Sequence, residues 1–229
     1  MTSLRQHYLL DALGLAPRWQ LRHDPNPPPM VSLEPETQAL VAPACPSAWL
    51  TLEQSVAGCT ACDLASSRTQ TVFGRGNPHA RWLLVGEAPG EQEDRQGLPF
   101  VGPAGQLLDA MLRSLGLNPA TDVYIANVLK CRPPRNRNPQ ANEITACQPF
   151  LAQQIALMQP QLILALGSFA AQSLLNTETP IGKLRGQCHD YQGIPLIASY
   201  HPAYLLRTLR DKAKAWQDLC LAMRTVAAK

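Results

Sequence analysis

Four short apolar runs stand out along the chain, at residues 82–85, 123–126, 162–166 and 196–198. Each is four or five residues or fewer and shows no polar alternation, the pattern of strands covered on both faces. Helix-period stripes separate them. Ala104, Leu107, Leu108, Met111, Leu112 and Leu115 recur at helical spacing, and Gly116 stands where such a helix stops. Asn138-Pro139 offers a cap and a first turn to a helix carrying Ile144, Cys147, Leu151, Ile155 and Met158, with Pro149 predicted to kink it. Ser168 is placed to cap residues 169–175, and Leu205, Leu206, Leu209, Ala213, Trp216, Cys220 and Met223 read as one long final amphipathic face. Strand–helix alternation predicts an α/β fold, a three-layer α/β/α sandwich around a mostly parallel four-stranded sheet. Function in such sheets collects at the C-terminal strand edges, here Gly86-Glu87, Asn127, Gly167 and Ser199-Tyr200-His201.

The region before the first strand has a different pattern. Residues 1–22 hold Leu4, Tyr8, Leu9, Ala12, Leu13 and Leu15 near helical spacing, followed by Trp19. Seven prolines then fall between Asp24 and Ser47, which rules out a regular hydrogen-bond ladder there. The division predicted is a docking peptide over 1–22, a Pro-rich linker over 23–48 and a globular domain over 49–229. A frayed tail is the plainer alternative for the first segment.

Composition adds little to the pattern. Of 229 residues, 45% are apolar and 16% charged, with a net charge of +3, which is globular and neither requires nor excludes a nucleic-acid partner. No apolar run reaches membrane-spanning length, and Arg5, His7 and Asp11 interrupt any leader-like pattern, so a cytoplasmic protein without a membrane is expected. In that reducing setting seven cysteines need a reason. Cys59 and Cys62 form a C-x-x-C pair, with Cys131 and Cys147 far downstream. Four thiolates suit either tetrahedral zinc or a four-iron cluster. Zinc ribbons usually carry a second C-x-x-C, so the spacing favours a cluster; the alternative is that Cys131 and Cys147 simply pack in the core.

Candidate chemistry lies at the strand edges. Glu87, in Gly86-Glu87-Ala88-Pro89-Gly90, sits where the backbone can approach a ligand closely, or is a solvated acid on a tight turn. Phe100, in a loop between Pro99 and Pro103, either joins the core or offers a ring to a flat substrate. Asn127 carries a donor and an acceptor that match an imide edge, or caps a turn. Arg132, Arg135 and Arg137 share a loop with no acidic neighbour, a candidate phosphate-binding set. His201 precedes Pro202, a first-turn residue whose helix start leaves N–H groups free for a phosphate.

Taken together, Cys59-x-x-Cys62, residues 86–90, 99–105 and 127–139, Cys147, Ala165-Leu166-Gly167, Lys183-Leu184-Arg185-Gly186 and residues 201–207 resemble the family 4 uracil-DNA glycosylases over roughly residues 50–219. The resemblance implies the glycosylase fold, a monomer, and a structural [4Fe–4S] cluster on Cys59, Cys62, Cys131 and Cys147. It implies removal of uracil from DNA in base excision repair by hydrolysis of the N-glycosidic bond of a flipped nucleotide. Phe100 would stack on the base, Asn127 would read its edge, and His201 would donate to the uracil O2. Backbone near Glu87 and Ala88 would hold the base and position water, and Leu205 or Leu206 would wedge into the gap, beside Arg207. Family 1 enzymes orient the water with an Asp where this chain has Ala88; Glu87 is the candidate here, with an Asp elsewhere in the chain as the alternative. Residues 132–139 lack the His-containing insertion by which some relatives trap DNA, so ordinary turnover is expected.

Residues 1–22 also resemble the N-terminal peptide of the psi subunit of the bacterial replicative polymerase, implying clamp-loader subunits as partners. Two non-enzymatic readings stand beside the glycosylase: an accessory DNA-binding module with an intact cluster, and a replisome adaptor in which the peptide matters most.

Overall fold

The computed structural model describes residues 46–227. The expectations for residues 1–22 and for most of the linker lie outside the described residues. The chain there begins with α1 (Pro46–Ala57) and the short α2 (Leu64–Ser67), then β1 (Arg75–Gly76) and β2 (Trp82–Gly86). Next come α3 (Glu91–Gln96), α4 (Pro103–Ser114), β3 (Val123–Asn127), a 3-10 turn (Pro134–Asn136) and α5 (Ala141–Met158). It continues through β4 (Leu162–Leu166), α6 (Ser168–Leu175), α7 (Ile181–Leu184), β5 (Cys188–Tyr191) and β6 (Ile194–Ser199). The last elements are α8 (Pro202–Arg207), a 3-10 turn (Leu209–Asp211) and α9 (Lys212–Ala227).

The four expected strands are all present and mutually parallel, in the order β3-β2-β4-β6. The sheet is nonetheless six-stranded among the described residues, because antiparallel β1 and β5 close its two edges. Neither edge strand has an apolar run to announce it. β1 is two residues long, and β5 alternates exposed and half-buried positions. β5 turns into β6 through Gln192 and Gly193, both at positive φ, the two-residue turn whose twist matches a hairpin.

Alternate residues of the central strands feed two cores. Leu83, Val85, Tyr124, Ala126, Ile163 and Ala165 meet α5 and α6 on one face. Trp82, Leu84, Ile125, Leu164 and Ile197 meet α4 and α9 on the other. The three-layer sandwich follows from period-two side-chain alternation with apolar residues at every position.

Three helix details differ from expectation. α5 runs unbroken through Pro149, and it starts at Ala141 because the Glu143 carboxylate accepts the Gln140 N–H at 2.8 Å. Gly167, not Ser168, is the cap of α6. The final amphipathic segment is broken at Thr208. The break rotates the helical phase, so α9 buries Ala215, Asp218, Leu219, Ala222 and Val226, and Trp216 is left 42% exposed.

Candidate active site

β2 leads to β3 on one side of the sheet, while β4 leads to β6 on the other. Such a reversal opens a crevice at the C-terminal strand ends. A cleft of about 460 Å³ lies there, and its lining includes Glu87, Phe100, Asn127, Arg137, His201 and Arg207. Ala88 lines it too, so seven of the sequence-derived site residues meet in one place.

Asn127 is the last residue of β3, paired with Gly86, and only 2% exposed. Its backbone carbonyl accepts from the buried Lys130 Nζ at 2.8 Å. Its side-chain Oδ1 is buried without a partner. Buried acceptors are nearly always paired, because an unpaired one forfeits its hydration. A Cβ at Gly86 would overlap both this Oδ1 and the Phe100 ring, so glycine is what lets the two side chains lie over the end of β2. Phe100 packs into the core and also lines the cleft. Its ring stacks on His201 with centroids 5.5 Å apart.

His201 caps α8: its Nδ1 accepts the Ala203 N–H at 3.1 Å. In a neutral ring the proton therefore sits on Nε2. Burial, with the nearby Arg207 charge adding to it and Glu93 opposing, pushes the imidazole down to about 4. The same cap corrects an expectation, because the Ala203 N–H is engaged by His201 rather than left for a phosphate. Burial also raises the Glu87 carboxyl above its ordinary value.

The arginine loop does have acidic neighbours, contrary to the sequence reading. Arg137 forms a forked pair with Glu143, whose side chain is 1% exposed, and Arg132 lies 3.6 Å from Glu91. These acids sit six residues downstream and forty-one upstream, out of sight of a local scan. Arg135 is exposed, at φ 55, and makes no ion pair among the described residues. Arg135→Ala is accordingly expected to lower the salt slope of DNA binding by about one phosphate. Arg137→Ala should instead lower the melting temperature by stranding Glu143. Filter binding at several salt concentrations, with thermal melts, separates the two.

The wedge pair also resolves. Leu205 is 0% exposed and packs inward, whereas Leu206 is 43% exposed. A wedge at Leu205 would have to leave the core, so exposure favours Leu206 for that role.

Beside the cleft, Cys131 and Cys147 pack with Leu64 and Leu129, and Cys62 and Ala88 lie against them. All four predicted ligands are free thiols; Cys59 and Cys62 lie near Cys131, and Cys62 and Cys131 lie near Cys147. Burial pushes the Cys147 thiol up to about 11 and raises Cys131, so neither is a thiolate without a compensating positive charge. Part of that charge is supplied by Arg68, which donates to Cys131 Sγ at 3.0 Å and to the Cys59 carbonyl at 2.7 Å. Four gathered, unpaired cysteines with an N–H donor on sulfur fit a thiolate-ligated metal group. Among the described residues no three His, Cys, Asp or Glu side chains close on a single metal-ion position.

Sequence reasoning missed several residues around the cleft. Glu93 lines it from an acid-rich helix that reads as solvated surface. Arg185 pairs with the buried Asp218 at 2.8 Å, and Asp218 also accepts from Ser199 at the end of β6, two residues before His201. Lys130 is buried against Gln154 at 2.6 Å. Only the Lys183–Gly186 motif had hinted at any of these.

Residues 73–220 match the model of the Uracil DNA glycosylase superfamily, which is the class this fold and cleft define. Over 165 residues the chain is 46% identical to the type-4 uracil-DNA glycosylase of Thermotoga maritima, covering 71% of this chain and 85% of that one. It is 44% identical to the type-4 enzyme of Archaeoglobus fulgidus over 67% of this chain and 80% of that one. Against the type-4 enzyme of Pyrobaculum aerophilum the identity is 40%, over 74% and 90% of the two chains. The chain belongs to the type-4 uracil-DNA glycosylase family.

Proposed function

We propose that the cleft receives a uracil flipped out of DNA and that its lining residues divide the hydrolysis of the N-glycosidic bond among them. The observation that carries this reading is the unpaired, buried Asn127 Oδ1. It is an acceptor, and uracil N3–H is a donor where cytosine N3 is an acceptor. The Asn127 amide thus rewards uracil and leaves cytosine with two acceptors opposed. Phe100 supplies a wall against the base face. As the glycosidic bond breaks, its electron pair moves onto uracil and charge develops at O2. The neutral His201 donates from Nε2 to that oxygen without a competing positive charge to discharge first. Glu87, ionised above its raised titration range, orients the water that adds to the sugar carbon, and the proton that water sheds neutralises the departing uracil anion. Leu206 fills the vacated stack, and Arg135 and Arg207 meet phosphates. Excision measured on end-labelled oligonucleotides carrying one uracil tests the key contact. Asn127→Ala is expected to slow single-turnover excision by about 10–100-fold, the size of one lost buried hydrogen bond. An unchanged rate would overturn the reading.

The cofactor assigned to Cys59, Cys62, Cys131 and Cys147 is a [4Fe–4S] cluster. Those four cysteines would hold the cluster as thiolates, and their gathering around Arg68, which donates to Cys131 Sγ at 3.0 Å, suits a thiolate-ligated group. When bound, the cluster would contribute structurally: Cys131 follows β3 and Cys147 lies in α5, so holding both would brace the arginine loop between them. Uracil-containing DNA is the partner. Residues 1–22, tethered by the Pro-rich linker, are proposed to dock a clamp-loader subunit and raise the local concentration of the enzyme at replication sites. No described helix is long and apolar enough to cross a membrane.

A further inference from the structure

Phe100 has a backbone φ of 55, the left-handed region that a bulky side chain rarely occupies. Such a residue persists only where its surroundings hold it. The loop around it lies between Pro99 and Pro103, neither of which has an N–H to join a ladder. Its polar groups are taken up by two charged side chains instead. On the carbonyl side, Arg75 Nε donates to the Pro99 oxygen at 2.8 Å and Nη2 reaches the Phe100 oxygen at 3.5 Å. The same guanidinium pairs with Asp109 of α4 at 2.6 Å. On the amide side, Glu93 Oε1 accepts from Val101 N at 2.9 Å and Gly102 N at 3.2 Å. Positive charge meets the carbonyls and negative charge meets the N–H groups, so both ends of the loop's dipoles are satisfied. Helix α4 presses on the same residue: a Cβ at Gly105 would overlap the Phe100 carbonyl.

We propose that Arg75 and Glu93 are positioning residues that hold Phe100 in its left-handed conformation and so build the aromatic wall of the base pocket. The proposal rests on Phe100 being that wall. It also gives the two-residue strand β1 a purpose, since pairing Arg75 with Ile125 of β3 is what aims the guanidinium at the loop. Released from either side, the loop relaxes toward an ordinary backbone region and the ring leaves the cleft.

The test uses the full-length, cluster-loaded enzyme as wild type, Arg75→Ala, Arg75→Lys, Phe100→Ala and the Arg75→Ala/Phe100→Ala double variant. Four quantities are read: single-turnover excision, inhibition by free uracil, affinity for a duplex with an abasic site, and melting temperature. Arg75→Ala is expected to weaken uracil inhibition and slow excision by about tenfold, the shift expected when a strained residue loses its restraint. Affinity for abasic DNA, which presents no base, should hold. The double variant should match Phe100→Ala, because Arg75 acts only through that ring. Arg75→Lys keeps the charge beside Asp109 but not the fork, so it should fold normally and fall between wild type and Arg75→Ala. Losses that add in full in the double variant, or uracil inhibition unchanged in both Arg75 variants, would overturn the clamp while leaving the Phe100 assignment standing. Phe100→Ala inhibited by uracil as tightly as wild type would remove the assignment itself, and the clamp's purpose with it.

Discussion

His201→Ala is expected to slow uracil excision by about 10²–10³-fold, the usual cost of removing one preorganised donor to a developing oxyanion. The expectation follows from three features of one side chain. The ring is neutral because burial and Arg207 hold its titration near 4. Its tautomer is fixed because Nδ1 accepts from Ala203 at 3.1 Å. Its place in the cleft is fixed by the stack against Phe100 and by its position as the cap of α8. The pH dependence follows with a definite sign. As pH falls, Glu87 takes up a proton first, at a value raised by burial above the usual carboxylate range. The acid limb of wild-type excision should therefore belong to Glu87. In Glu87→Gln the slower residual rate should stay flat through pH 6.5 and fall only as His201 charges near 4. A limb near pH 6.5 in that variant would mean that His201 titrates as an ordinary imidazole and works in its charged form. Single-turnover rates across buffers from pH 4.5 to 9 decide between the two.

Cys147→Ala is expected to abolish the visible absorbance of the purified protein and to destabilise it by about 4 kcal/mol, a loss typical of a broken metal site. For a domain of this size that is ~10 °C or more in melting temperature. The competing account, in which Cys147 merely packs against Leu64, Leu129 and Cys131, predicts a smaller loss and no chromophore to lose. Cys188→Ala serves as the control, since Cys188 is exposed on the edge strand β5. It should leave both absorbance and stability unchanged. A colourless wild type, or a Cys147→Ala variant as coloured as its parent, would remove the cluster from the account.

The readable part of this protein is what depends on neighbours in sequence. The four central strands were legible because residues covered on both faces must be apolar throughout, and that leaves an unbroken run at 82–85, 123–126, 162–166 and 196–198. The edge strands were not, because an edge strand is half-exposed and β1 is only two residues long. The final helix was misread by a fraction of a turn because the break at Thr208 carries no proline or glycine to mark it. The cleft residues Glu87, Asn127 and His201 were legible because each ends or closely follows a strand, where an α/β sheet opens, whereas Phe100 lies in the loop between α3 and α4 and was marked only by its place between two prolines.

What only the folded chain decided is everything that joins residues distant in sequence. Glu143 claims Arg137 and leaves Arg135 exposed, reversing the impression of three equivalent arginines. Burial separates Leu205 from Leu206, adjacent residues of the same type, because a helix turns each to a different side. The His201 tautomer depends on one amide two residues away whose direction is set by α8. The hold on Phe100 comes from Arg75 and Glu93, on a separate strand and helix, whose charges gain their meaning only from the carbonyls and amides they face. The sequence by itself determined which strands are apolar throughout and where their C-terminal ends fall. Which charges pair, which are spent and which remain for DNA is set by distance through space, and a linear pattern carries no record of that.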